Sequence, residues 1–71
     1  MIQTKLLEQK IDASGLKRKN IAKRLGISRY TLLKKINGET EFTASEIIKL
    51  SRILHLTKSE RDHIFLSSYV G

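Results

Sequence analysis

Apolar residues recur along the chain at the three- and four-residue spacing that brings side chains to one side of an α-helix. The spacing is interrupted at glycine, serine and threonine residues of the kinds that stop and start helices. The pattern therefore predicts an all-α fold, a compact bundle of five short helices. The predicted helices are about Gln3 to Ser14, Arg18 to Leu25 and Arg29 to Asn37, then one that begins at Thr43 and one that begins at Thr57.

The predicted helix ends carry capping signals. Gly26 and Gly38 follow the second and third helices, and glycine readily takes the left-handed backbone that ends a helix. Ser28 stands where an N-cap satisfies the free N–H groups of the third helix. A capping box, in which two side chains each bond the other residue's backbone N–H, is predicted twice, at Thr43 with Glu46 and at Thr57 with Glu60.

Length and composition exclude several classes of protein. Seventy-one residues are enough for one domain, predicted to span 1–71. The chain has no cysteine, no apolar run near the ~20 residues that cross a bilayer, and no secretory leader pattern. His55 and His63 have no third ligand nearby, and no nucleophile–base pair is present. We therefore expect no enzyme, no metal or other cofactor and no small-molecule substrate, and a location in the cytoplasm of a bacterial or phage-infected cell.

The net charge of +7 is concentrated in one segment. Residues 17–35 hold eight of the 14 Lys and Arg residues and none of the seven acids, so the rest of the chain carries −1. A focused positive patch attracts a polyanion, because binding releases the counterions that nucleic acid condenses. A basic surface that is merely solvated is the alternative. The binding hypothesis is favoured because the charge coincides with the second and third predicted helices.

These two helices are joined by only three residues, Gly26-Ile27-Ser28, which is the layout of a helix-turn-helix motif. Ala22 is small, as is needed where the third helix crosses close over the second. Gly26 can take the positive φ that turns the chain sharply. Ile27 and Leu32 are placed to fill the angle between the two helices.

Residues 16–38 (LKRKNIAKRLGISRYTLLKKING) resemble the helix-turn-helix of the lambda-repressor-like family, also called the Cro/CI or XRE type. The continuation GETEFTASEIIKLSRILHLTKSE is similar to the loop and fourth helix of its small phage-type members. The resemblance covers roughly residues 5–66. It implies sequence-specific binding of double-stranded DNA, with a recognition helix at about 28–37 in the major groove. It also implies a phage or mobile-element repressor of transcription, Cro-like in size.

The resemblance assigns candidate roles to individual residues. Steps of 100° along the third helix place its polar side outward, away from Leu32 and Ile36. The candidates for base contacts are Ser28, Arg29, Tyr30, Leu33 and Lys34. The candidates for phosphate contacts, which set register without carrying sequence information, are Lys17, Arg18, Lys19, Lys23, Arg24 and Asn37.

Two positions depart from the family pattern. Arg18 stands where members often have a glutamine that clamps a phosphate, and arginine can replace it through its charge. Lys35 falls where members usually have an apolar core residue. Either its methylene stem lies along apolar surface with the ammonium in water, or Ile36 takes that space through a small roll of the helix.

A homodimer on DNA is expected, because one recognition helix covers only a few base pairs. The last helix is more apolar than one side of a terminal helix can bury. Ile64 and Phe65 are predicted to complete the core. The candidates for the dimer contact are Leu66, Tyr69 and Val70.

Three alternatives stay open at this point. An antirepressor or antitoxin-like protein would use the same fold to bind a repressor, and an exposed Leu33 with the apolar C-terminal residues favours it. A membrane-surface peptide is disfavoured by the capping boxes and matched apolar faces, which imply a packed core. RNA binding is disfavoured because no exposed aromatic platform of the single-strand type is visible. Phe42 and Phe65 are predicted core residues, which leaves only Tyr30 in the basic patch.

Overall fold

A computed structural model describes residues 2–66, and within this range the chain forms five α-helices and no strand. The predicted all-α fold is confirmed, and the observed ends lie within a residue of the predicted ones for the first three helices. Tyr69 and Val70, two of the three candidates for the dimer contact, lie outside the described residues. The helices are α1 Thr4–Ser14, α2 Arg18–Leu25, α3 Arg29–Ile36, α4 Ala44–Ile53 and α5 Lys58–Phe65.

The starts of α4 and α5 are held by the two predicted capping boxes. In α4, the Thr43 hydroxyl accepts from the Glu46 N–H at 3.1 Å, and the Glu46 carboxylate accepts from the Thr43 N–H at 2.9 Å. The same exchange joins Thr57 and Glu60, at 3.1 and 2.8 Å. Each box satisfies two backbone donors that have no partner inside the helix.

The end of α4 differs from the glycine stops of the earlier helices. His55 takes the left-handed backbone, with φ 54°, where glycine is usual. The Leu56 N–H then donates to the Ser51 carbonyl at 2.9 Å, which closes the helix end. Histidine is among the residues that tolerate this region best. The chain therefore turns tightly from α4 into α5 without a glycine.

One apolar core lies between the five helices. Each helix contributes at least one side chain with no exposed surface: Leu7 and Ile11 from α1, Ile21 from α2, Leu32 from α3, Leu50 from α4 and Ile64 from α5. Between α3 and α4, Phe42 packs edge-on against Phe65 of α5, with ring centroids 5.5 Å apart. The prediction that Phe42, Ile64 and Phe65 are core residues is confirmed.

The packing leaves one side of the helix-turn-helix uncovered. Helix α3 packs on α2 and α1, α2 packs on α4, and α5 packs on α1 and α4. The Gln3 N–H donates to the Ile64 carbonyl at 2.8 Å, so the beginning of α1 is fastened to α5. Within the described residues, the side of α3 that carries Arg29 and Tyr30 is exposed. None of the helices within residues 2–66 has the length and apolarity to span a bilayer.

Candidate nucleic-acid interface

The turn between α2 and α3 is fixed by backbone geometry. Gly26 has φ 75° and donates its N–H to the Lys23 carbonyl at 3.1 Å, and Ile27 donates to the Ala22 carbonyl at 3.0 Å. A Cβ atom at Gly26 would meet nothing within 4 Å, so backbone conformation and not space requires glycine there. Ala22 of α2 is buried, and α2 packs on α3.

Ser28 begins α3 as predicted. The Ser28 hydroxyl oxygen accepts from the Thr31 N–H at 3.0 Å, and the Ser28 O–H donates to the Thr31 hydroxyl oxygen at 2.8 Å. The first turn of α3 contains no acidic side chain, so nothing within it neutralises the positive end of the helix dipole. The start of α3 is an exposed surface suited to an anion.

The outer side of α3 carries the candidates for base contacts. Arg29 is exposed, and Tyr30 has 72% of its surface exposed. Lys34 lies one turn later, with its ammonium 5.6 Å from the centre of the Tyr30 ring. Leu33 and Lys34 are half-buried, so both lie at the edge of the exposed side. The inward placement of Leu32 and Ile36 is confirmed.

Five of the six candidates for phosphate contacts are exposed, namely Lys17, Lys19, Lys23, Arg24 and Asn37. Arg18 differs, because its guanidinium donates to the Asp12 carboxylate at 3.2 Å and its side chain is half-buried. A phosphate at Arg18 must therefore share the guanidinium with Asp12 or displace it. Asn37 is the residue at which α3 ends, and its own N–H donates to the Leu33 carbonyl at 3.0 Å.

Lys35 is buried, and the predicted arrangement with its ammonium in water is wrong. Only 9% of its surface is exposed, so the ammonium does not reach water along its stem. Ile36 is buried as well, with 2% of its surface exposed. The Lys35 Nζ instead donates to a Glu46 carboxylate oxygen at 2.7 Å and to the Glu41 carbonyl at 3.0 Å. It also lies 5.8 Å from the centre of the Phe42 ring.

This ion pair was missed from the sequence, although part of its signal was visible. Glu46 was predicted to be in a capping box, and a carboxylate oxygen has a lone pair to spare after it accepts one N–H. Burial alone would raise the pKa of Glu46, but the hydrogen bonds from Lys35 and from the Thr43 N–H outweigh burial and lower it. The Glu46 carboxylate is therefore charged at neutral pH.

The charge available to a polyanion is smaller than the sequence indicates. Lys35 is neutralised by Glu46 inside the fold, and Arg18 faces Asp12. The six other bases of residues 17–35 form no ion pair within the described part of the chain, and we call them the basic surface: Lys17, Lys19, Lys23, Arg24, Arg29 and Lys34. The residues of the basic surface lie at both ends of α2 and on α3.

The described residues offer no grouped metal ligands. No three His, Asp or Glu side chains within residues 2–66 lie close enough to hold a metal ion.

An apolar cavity of about 300 Å³ lies between the end of α3 and the end of α5, with Phe42, Ile47 and Leu66 in its wall. Leu66, a candidate for the dimer contact, is half-buried there.

Comparison with known proteins agrees with this geometry. A protein-family model described as helix-turn-helix matches residues 7–60, which include all of α2, the turn and α3 and more than half of the chain. No curated protein and no solved structure gave a match. The matched family is the lambda-repressor-like type that residues 16–38 resemble, and its members are DNA-binding regulators. The chain therefore belongs to the lambda-repressor-like helix-turn-helix family, whose members bind double-stranded DNA.

Proposed function

We propose that this protein is a sequence-specific transcription regulator of phage or mobile-element type, Cro-like, which acts as one domain over residues 1–71. The observation that carries the proposal is the outer side of α3. Arg29, Tyr30 and Lys34 lie on the outer side of α3, residues 17–35 hold four further bases without an ion pair in the described residues, and residues 17–35 contain no acid. Family membership supports DNA as the polyanion.

In this proposal the two kinds of contact have separate tasks. The exposed lysines and arginine of α2 neutralise phosphates on both sides of the groove and hold the domain in register. Helix α3, with its N-cap Ser28, then lies in the major groove, where Arg29 or Lys34 donates to guanine O6 and N7. Tyr30 packs on a sugar or bonds a phosphate, and Leu33 contacts a thymine methyl group. Asn37 donates to a phosphate at the far end of α3.

We further propose that the protein binds DNA as a homodimer. A two-fold pair of recognition helices contacts half-sites about one helical turn apart, which supplies the specificity that a single helix lacks. The proposed contact is made by Leu66, Tyr69 and Val70. Its support is the half-buried position of Leu66 at the end of α5, in the wall of the apolar cavity. The cytoplasm of a bacterial or phage-infected cell is the proposed location.

The decisive experiment for DNA specificity is selection of duplexes from a random library, followed by footprinting. The proposal expects one enriched palindromic motif and a protected region spanning two half-sites. Arg29→Ala should lose the motif while weak binding to any duplex persists. Recovery of unrelated sequences with no shared motif would contradict sequence-specific regulation.

The dimer is tested by truncation. Removal of residues 67–71 should lower dimer occupancy on the selected palindrome, and mass in solution and on DNA measures this. Unchanged occupancy would place the contact elsewhere on the domain. A saturated complex of one chain per palindrome would refute the dimer itself.

One observation favours a second candidate, an antirepressor or antitoxin-like protein that binds a repressor. Tyr30 presents 72% of its surface on the outer side of α3, and tyrosine is enriched in protein interfaces. Titration of duplex DNA at a stated salt concentration, with and without a candidate repressor, separates the two. The second candidate expects tight binding of the repressor and only weak, sequence-independent binding of DNA.

A further inference from the structure

Lys35 connects the recognition helix to the first turn of α4. Its ammonium is bonded at 2.7 Å to one Glu46 carboxylate oxygen, and that same oxygen accepts the Thr43 N–H at 2.9 Å. The Glu41 carbonyl, two residues before Thr43, accepts a second Lys35 N–H at 3.0 Å. The side chains of Lys35 and Glu46 are nearly buried, with 11% and 13% of their surfaces exposed. The carboxylate of the α4 capping box thus also forms an ion pair with Lys35 of α3.

This link differs in kind from the other forces on α3. Leu32 and Ile36 hold the helix by apolar burial, which is strong but has little directional preference. The bonds of Lys35 are directional and charge-assisted, because each donor must point at its acceptor. Phe42 closes the site from one side, with its ring centre 5.8 Å from the ammonium. A roll or a slide of α3 along its axis therefore breaks the Lys35 bonds before it uncovers much apolar surface.

The consequence for the outer side follows from helix geometry. Successive residues of an α-helix are 100° apart, so Lys34 and Tyr30 project about 100° and 140° away from Lys35 around the α3 axis. Fixing the direction of Lys35 therefore fixes the directions of Lys34 and Tyr30. Errors of about 1 Å or 10–20° are enough to spoil a binding constellation.

We propose that Lys35 is the positioning residue of the recognition helix: through Glu46 and the Glu41 carbonyl it sets the roll of α3, and so the base contacts of Arg29, Tyr30 and Lys34. This inference rests on the proposed function, in which α3 lies in the major groove. It assigns to Lys35 no contact with DNA. Specificity, more than overall affinity, then depends on the Lys35–Glu46 pair.

The test uses a double variant, Lys35→Met with Glu46→Gln. Methionine fills the volume of the lysine stem, and glutamine keeps the oxygen that completes a capping box. One positive and one negative charge are removed together, so the net charge of +7 and the attraction to phosphates are unchanged. Lys49→Met is the matched control, because Lys49 lies exposed on α4 outside this cluster. The probes are a duplex selected by the wild-type chain and a scrambled duplex of the same composition.

The measured quantity is the ratio of affinities for the selected and the scrambled duplex, at fixed salt. The double variant should keep its affinity for the scrambled duplex and lose at least about fivefold in the ratio, because a good base contact discriminates roughly five- to a hundredfold. Lys49→Met should leave the ratio unchanged within about twofold, since it touches no base contact. A folded double variant with an unchanged ratio would overturn the proposal.

Failure of the proposed function gives a different pattern. If α3 does not contact bases, Arg29→Ala leaves the ratio of affinities at its wild-type value. The Lys35–Glu46 pair then positions no base contact. If the double variant does not fold, Glu46→Gln alone carries the test, since it keeps the capping oxygen and removes the carboxylate charge that holds Lys35. The ratio should then fall by about threefold or more at intact helicity, and an unchanged ratio overturns the proposal.

Discussion

The ammonium of Lys34 lies 5.6 Å from the centre of the Tyr30 ring, one turn away on the outer side of α3. A cation over a tyrosine face is attracted by the ring quadrupole, and the ring in turn limits where the lysine can point. Both residues are candidates for base or backbone contacts. The pair therefore presents a partly ordered surface to DNA, in which neither side chain acts independently of the other.

Substitutions at these two positions should be non-additive. Tyr30→Ala frees Lys34 from the ring, so the double variant Tyr30→Ala/Lys34→Ala should cost less binding free energy than the sum of the single variants, by about 0.5–1 kcal/mol. Affinities for a selected duplex in a double-mutant cycle measure this coupling. Tyr30→Phe is the control, because it keeps the ring and should keep the coupling. Strict additivity would mean that the two residues act separately on DNA.

Substitutions should fall into two classes according to helix. Arg29→Ala should cost about 1–3 kcal/mol on a selected duplex and relax the base preference at one position, because a bidentate contact to guanine is lost. Lys23→Ala, which removes an exposed side chain of α2, should weaken binding to all duplexes about equally. Competition titrations against single-base variants of the selected duplex separate the classes. If Arg29→Ala weakens all duplexes alike, Arg29 contacts phosphate instead.

Binding should depend strongly on salt. If the four residues of the basic surface other than Arg29 and Lys34 meet phosphates, the slope of log affinity against log salt concentration is about −4 per chain, since each neutralised phosphate contributes about −0.9. Lys19→Ala should reduce the slope by about one unit. Lys49→Ala, on the exposed side of α4, should leave it unchanged. A slope near zero with retained affinity would remove the electrostatic basis of the proposed function.

Loss of the α3 cap should destabilise the fold. Ser28→Ala removes the oxygen that accepts the Thr31 N–H, which should lower the free energy of unfolding by about 0.5–2 kcal/mol. Ser45→Ala is a matched control, because Ser45 is exposed in the first turn of α4 and caps nothing. Urea unfolding followed by circular dichroism gives both values. Equal values for the two variants would show that the Ser28 cap adds no stability.

Stability should fall in acid through the capping carboxylates. Hydrogen bonds from the Lys10 ammonium and the Thr57 N–H lower the pKa of Glu60 from 4.5 to about 2. A carboxylate whose pKa is lowered by folding stabilises the protein above its unfolded pKa, and this contribution is lost as the pH falls from 4.5 towards 2. The lowered pKa of Glu46 acts in the same direction.

Urea unfolding at a series of pH values tests this expectation. The urea concentration at the unfolding midpoint should decrease as the pH falls below about 4.5. This decrease should be smaller in Glu60→Gln, which keeps a capping oxygen but does not titrate. Glu39→Gln, at an exposed residue outside both boxes, should follow the wild-type curve. Identical curves for Glu60→Gln and the wild type would assign the acid sensitivity to other groups.

Much of the fold was predictable because its signals are local. The spacing of apolar residues and the caps at Ser28, Thr43 and Thr57 depend on neighbours within about one helical turn, and all three caps are present. The turn at Gly26 was predictable for the same reason. The end of α4 was less predictable, since His55 takes the left-handed conformation that glycine usually takes at the end of a helix.

The candidate site was predictable in part. The basic segment follows from composition and the outward direction of Tyr30 from helical steps, and Tyr30 is exposed. The effective charge was not predictable, because the pairing of Arg18 with Asp12 and of Lys35 with Glu46 joins different helices.

The sequence by itself determined the five helices, the helix-turn-helix and the location of the positive charge, because these depend on residues close together in the chain. Tertiary structure decided which charges remain available. Lys35 and Glu46 are eleven residues apart, and only the packing of α3 on its neighbours brings the ammonium to the capping carboxylate. A lone lysine in a predicted core suggests an exposed stem or a rolled helix, since burying an unpaired charge is prohibitively costly. The fold supplies the partner, and so the same residue becomes an internal link of the recognition helix.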